Sequence, residues 1–192
     1  MNSDPWLERW LPLVAERAGT GPVLELGCGS GADTSVLARA GHRVVALDLS
    51  RLWLTVAKIR VPSCEFHCQD IRAAFPLSPE KKINVVVASL SLHYFSWAET
   101  ERLVERIRTV LGPAGVLLCR LNSTKDVNFG ARGHPAIEEN YYRVDGAPKR
   151  FFDRTAVDRL FAHGWRVRHL EENVVHRYVR PKSLWEAVLE KS

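Results

Sequence analysis

Residues 25–31 read Glu25-Leu26-Gly27-Cys28-Gly29-Ser30-Gly31. Glycines at this density permit a tight turn and let a ligand lie against the backbone. A helix that follows such a turn offers free N–H groups to the ligand. Gly27, Gly29 and Ala32 also satisfy the dinucleotide pattern G-x-G-x-x-G/A. Glu25 separates the two readings, because a carboxylate two residues before the first glycine would repel a pyrophosphate. It would attract an ammonium group, directly or through water. Asp48 follows about 20 residues on, where an acid takes the two hydroxyls of a ribose. Its alternative is a helix cap, by Asp48 itself or by Ser50. Gln69-Asp70-Ile71 places a third acid where it would accept from an adenine amino group, with Ile71 against the ring; a cap or turn role is the other reading. Cys28 and Leu49 adjoin these positions and complete the expected nucleoside contacts.

A second group of residues lies further along the chain. Ser89 and Leu90 are expected to approach the same ligand through backbone groups. His93 and Tyr94 follow, with His93 a candidate base or a packed cap. Arg120 and Asn122 end a later apolar run; a buried Arg suits an anionic substrate or an internal carboxylate. Asn140-Tyr141-Tyr142-Arg143 lies in the long segment 122–150, which reads as a lid or as aromatic packing. Trp6 and Trp10, four residues apart, would cover the ligand or seal the sheet.

The elements that must hold these residues alternate. Apolar strands are expected at 23–26, 44–48, 64–69, 83–89 and 115–121, with helices at 31–40, 50–60, 97–111 and 153–163. An N-terminal helix is expected over 4–18, capped by Asp4 with Pro5 at its first position. Two closing strands, 165–171 and 174–179, lie too close for a crossover and should form an antiparallel hairpin turning at Glu172-Asn173. Residues 183–190 form a brief strand or helix. This is an α/β, Rossmann-like, doubly wound sheet of seven strands, five parallel plus a terminal antiparallel hairpin, with helices on both faces. One domain spans 1–192: the N-terminal helix to residue 18, a ligand-binding core over 20–122, a lid-like insertion over 122–150, and a final helix and hairpin over 151–192.

The chain has 192 residues, 46% hydrophobic and 26% charged, which suits one globular domain. No apolar run reaches the roughly 20 residues that a membrane helix needs, and the N-terminus does not read as a signal peptide. Cys28, Cys64, Cys68 and Cys119 are expected as reduced cytoplasmic thiols. Cys64-Glu65-Phe66-His67-Cys68 has the wrong spacing for zinc, so no metal is expected. The net charge of +5 is spread among acids at helical spacing, as in Glu99 to Arg106, and gives no basic stripe for nucleic acid.

The glycine motif, Asp48 and Asp70 together resemble the successive motifs of class I S-adenosylmethionine-dependent methyltransferases. Asn84 to Tyr94 is similar to their fourth motif, with Asn84 where an Asp is more usual. Leu111-Gly112-Pro113-Ala114-Gly115-Val116-Leu117 is similar to their turn into strand five. The match covers roughly residues 20–122. The compact ending resembles small bacterial enzymes acting on small molecules, including the tellurite-resistance type. His176-Arg177 is similar to a late His-Arg pair of that type and makes Arg177 a substrate-side candidate.

The resemblance implies S-adenosyl-L-methionine as cofactor, S-adenosyl-L-homocysteine as product, and a small-molecule acceptor for a monomer or homodimer. Such chemistry is an in-line displacement whose main demand is alignment and exclusion of water. The competing functions are a nicotinamide-dependent oxidoreductase, a binding module that keeps the fold, and a nucleic-acid or protein methyltransferase. No Asn/Asp-Pro-Pro-Tyr motif supports the last.

Overall fold

The computed structural model describes residues 5–77, 83–176 and 178–192. The expected cap Asp4 and the candidate Arg177 lie outside these. Strands β1 (Val23–Leu26), β2 (Val44–Asp48), β3 (Glu65–Cys68), β4 (Ile83–Ser89) and β5 (Leu111–Asn122) pair in parallel. A separate three-stranded meander follows, β6 (Ala136–Glu138), β7 (Tyr141–Val144) and β8 (Ala147–Arg150). The main sheet closes with β9 (Trp165–Val175) and β10 (Lys182–Lys191), in the order β3-β2-β1-β4-β5-β10-β9.

Alternation along each strand divides the core between two faces. Helices α1 (Leu11–Ala18), α2 (Ala32–Arg39) and α3 (Arg51–Arg60) cover one face, where Val14, Leu37 and Leu54 meet Val23, Val85, Val87 and Leu118. On the other face, α4 (Trp97–Val110) and α5 (Arg154–Leu160) bring Leu103, Ile107 and Val157 against Leu24, Leu26, Val86 and Leu117. Side-chain oxygens start the helices as the residue types suggest. Ser50 accepts from Trp53 N–H at 3.3 Å, and Asp153 from Ala156 N–H at 2.7 Å. At Ser96 the capping box is complete, with Glu99 bonding back to the Ser96 N–H at 3.1 Å. No helix among the described residues is long and apolar enough to cross a membrane.

Two expectations are corrected. The α-helix expected over 4–18 starts only at Leu11, after a turn at residues 5–7 and a 3-10 turn at Glu8–Trp10. Pro12 explains the late start: it has no N–H to give an interior helical bond, and here it stands in the first turn, where none is needed. The closing hairpin exists, but its strands are displaced. β9 runs straight through Glu172-Asn173, and 182–191 is a full strand between β5 and β9, pairing Glu186 with both Arg120 and Glu171. Of the expected strand at 174–179, Val174 and Val175 end β9, and the other described residues belong to the connection before Pro181. Central placement accounts for the nearly unbroken burial of β10 from Leu184 to Leu189.

Candidate cofactor and acceptor site

The glycine turn leaves β1 with Gly27 at φ 74°, and its N–H and that of Cys28 both bond the Leu47 carbonyl, at 2.8 and 2.9 Å. A side chain at residue 27 would put its Cβ 2.5 Å from that of Ser91, so close approach as well as dihedral angle demands glycine. Gly31, at φ 76°, is the N-cap of α2. The Asp48 carboxylate reaches this turn. It accepts from the N–H of Gly29 and of Ser50, each at 2.8 Å. Ser50, rather than Asp48, caps α3, which leaves Asp48 aimed at the turn.

Glu25 lies on the α2 face of β1, 3% exposed, where Thr34 Oγ1 donates to it at 2.6 Å. Burial first, then the charges of Asp33 and Asp48, push its pKa up to about 8. Three carboxylates thus ring the glycine turn. The charges of Asp33 and Asp48, with a Glu25 that a bound cation would ionise, suit a cationic ligand and oppose a phosphate. The Cys28 thiol is also buried, and burial holds its pKa well above the ordinary range.

The third acid is engaged. Arg72 forks onto Asp70, with Nε 3.1 Å from both carboxylate oxygens, and holds it below the usual carboxylate range. Arg106 of α4, which the sequence reading did not single out, supports the same loop by donating to the carbonyls of Arg72 and Ala73. Ile71 is 7% exposed and packs in the core on the α4 side. The open apolar surface beside Asp48 is instead Leu49, 70% exposed.

At the end of β4, Leu90 takes φ 54°, a costly angle for a residue with a γ-branched side chain. Its N–H bonds the Arg120 carbonyl at 2.9 Å, while Arg120 Nε donates to Ser89 Oγ at 2.9 Å. Arg120 is 1% exposed, and its guanidinium lies 4.5 Å from the Trp6 ring centroid. The Trp6 indole N–H reaches Asp33 at 3.1 Å. Trp6 therefore bridges the helix after the glycine turn to β5. Trp10 does a different job, bonding Glu186 at 2.7 Å and packing on His169.

His93 and Tyr94 form a 3-10 turn, their rings 4.1 Å apart. His93 is buried. Burial first, then the charges of Lys182 and Lys149, hold its pKa well below the usual range, so the imidazole is neutral. Its Nδ1, the Ser91 hydroxyl and the Asn122 Oδ1 are buried and have no hydrogen-bond partner. Tyr94 is half exposed. Tyr141 is a strut: its hydroxyl donates to the Tyr94 carbonyl at 3.0 Å, and Arg150 covers its ring. Arg150 Nε also donates to the Phe95 carbonyl at 3.1 Å. These bonds seat the meander over the carboxyl end of β4.

Residues 23–115 match the family model described as a methyltransferase domain. Over this stretch the chain is similar to methyltransferases. Over 101 residues the chain is 33% identical to a trans-aconitate 2-methyltransferase of Delftia acidovorans, covering 52% of this chain and 37% of that one. Over 112 residues it is 34% identical to an uncharacterized methyltransferase of Synechocystis, covering 57% and 52%. The chain thus spans about a third to a half of the length of these relatives. An S-adenosylmethionine-dependent methyltransferase structure from Methanosarcina mazei shares the fold at TM-score 0.74 and 14% identity, over 94% of this chain and 97% of that one. One from Mesorhizobium loti does so at TM-score 0.73 and 18% identity, over 97% and 98%. The fold shared with these structures therefore extends through β10, beyond the matched stretch.

Proposed function

We propose that this chain methylates a small-molecule acceptor, using S-adenosylmethionine bound across the glycine turn. The observation that carries the reading is the ring of Glu25, Asp33 and Asp48 around Gly27–Gly31, in a domain of the methyltransferase family. When bound, the cofactor supplies an electrophilic methyl group on a sulfonium centre.

The residues of the chain fit the remaining tasks. Glu25 neutralises the amino-acid ammonium. Asp48, fixed by two backbone N–H groups, presents its oxygens to the ribose hydroxyls. Leu49 covers the base and Asp70 lies at its edge. The backbone of Ser89 and Leu90 walls the acceptor side, and Trp6 closes it against water. The neutral His93 imidazole is suited to accept a proton from the acceptor. The segment 122–150 is the lid, with its meander seated on the His93 turn. The relatives named for trans-aconitate support a small acceptor, and we take the protein to act in the cytoplasm without nucleic acid, as a monomer or homodimer.

Calorimetry of the whole chain with S-adenosylhomocysteine and, separately, with a nicotinamide dinucleotide tests the reading. We expect binding of the first alone; binding of the dinucleotide alone would replace the methyltransferase by the oxidoreductase.

A further inference from the structure

Three parts of the chain that lie outside the matched stretch 23–115 meet beside His93: β8, the 3-10 turn Val127–Phe129 and the start of β10. Asn122 is their common neighbour. Its Nδ2 donates to the Arg150 carbonyl, next to Lys149, and its backbone pairs with Leu184, two residues from Lys182. The two lysines share Phe129. Lys149 Nζ donates to its carbonyl at 3.2 Å, and Lys182 Nζ lies 4.7 Å from its ring centroid.

Their charges are not balanced alike. Lys182 is buried and paired with the Asp126 carboxylate at 2.7 Å. Half-buried Lys149 meets no carboxylate among the described residues; the Phe129 carbonyl is its hydrogen-bond partner. The charge of Lys149 acts on His93, and Asn122 bonds the residue next to Lys149; each holds a buried polar atom without a hydrogen-bond partner among the described residues, His93 Nδ1 and Asn122 Oδ1. Buried polar atoms are ordinarily satisfied. The amide oxygen accepts only, so it requires an O–H or N–H from outside the chain. A half-buried ammonium with no carboxylate beside it among the described residues is free to pair with an anionic group of a ligand.

We infer that Lys149, Asn122 and His93 form the acceptor subsite, and that it takes a small hydroxy- or amino-carboxylate. The carboxylate anchors at Lys149, and the proton-bearing group lies against Asn122 Oδ1 and His93 Nδ1. A paired Lys182 holds the Val127–Phe129 turn in place and adds no second unbalanced charge. The inference rests on the methyltransferase reading and narrows its acceptor.

The test is calorimetric binding to the whole chain saturated with S-adenosylhomocysteine. The probes are glycolate, 3-hydroxybutyrate and 4-hydroxybenzoate, each compared with its neutral amide and with the carboxylate lacking the hydroxyl. At least one hydroxycarboxylate should bind about tenfold more tightly than both of its comparators. Lys149→Met should remove that preference while leaving the amide and S-adenosylhomocysteine affinities unchanged, and Lys149→Arg should retain it. Phenyl phosphate binding more tightly than every carboxylate would overturn the class assigned. So would the absence of any preference over the amides, or a preference that survives Lys149→Met. Failure of S-adenosylhomocysteine to bind at all would instead overturn the methyltransferase reading, and the subsite with it.

Discussion

Glu25 is a carboxylate whose surroundings oppose its ionisation, and this makes cofactor binding depend on pH. Its folded pKa of about 8 stands above the ordinary 4.5, so between these values the native state holds a proton that the unfolded chain has released. Its contribution therefore lowers stability as pH rises from 4.5 to 8. A bound ammonium requires the ionised form, so affinity for S-adenosylhomocysteine should rise by up to about tenfold per pH unit below 8 and then level off. Calorimetry in two buffers of different ionisation heat should show proton release at pH 7, and none in Glu25→Gln. Equal release in both proteins would remove Glu25 from the site. Asp48→Ala should weaken binding by about 1.5–3 kcal/mol, the range for hydrogen bonds to a charged group; an unchanged calorimetric affinity would refute the ribose assignment. Among the single residues, Glu25 and Asp48 could be singled out from the sequence because their spacing from the glycines is local. Ile71 packs in the core, a role its apolar side chain serves as well as contact with a base.

Among the elements, the meander was the least legible, although a signal existed. Val144-Asp145-Gly146-Ala147 holds a two-residue Asp-Gly hairpin, with φ 50° and 82°, a strong short-range hairpin pattern. The strands of the meander are only three or four residues long, too short to show a clear alternation along the chain. As a lid, the segment 122–150 should be nicked more slowly by protease when cofactor and acceptor are both bound; a cleavage rate indifferent to both would leave it a fixed strut. The start of α4 is a separate test of an element. Ser96→Ala removes the capping box beside the His93 turn and should cost about 1 kcal/mol in urea denaturation. No measurable loss would mean that α4 is held by packing alone.

At the scale of the whole molecule, Trp6 ties the two sides of the site together. It is 4% exposed, bonded to Asp33 after the glycine turn and stacked on Arg120 of β5. Trp6→Ala should cost about 3–5 kcal/mol, as for other buried aromatic deletions. Saturation of the native chain at 100 times Kd adds about 2.7 kcal/mol, which corresponds to a Tm rise of roughly 5–10 °C for a domain of this size. Scanning calorimetry should show that rise in the native chain and a smaller one in Trp6→Ala. An equal rise in both would show that Trp6 is core packing with no share in the ligand site.

The sequence by itself determined the alternation of β1 to β5 with their helices, the glycine turn, and the acids at or near the ends of β1, β2 and β3. Such features are local: strand and helix periods, cap residues and positive-φ glycines act over a few positions. Only the tertiary structure decided that β10 lies between β5 and β9, that Arg120 is shared between Ser89 and Trp6, and that Arg72 engages Asp70. It alone seated the meander on the His93 turn and left Asn122 Oδ1 and His93 Nδ1 buried without partners among the described residues. These depend on segments far apart in the chain. Their pairing is set by which faces can be buried together, and a run of residues read along its own length does not contain its partner.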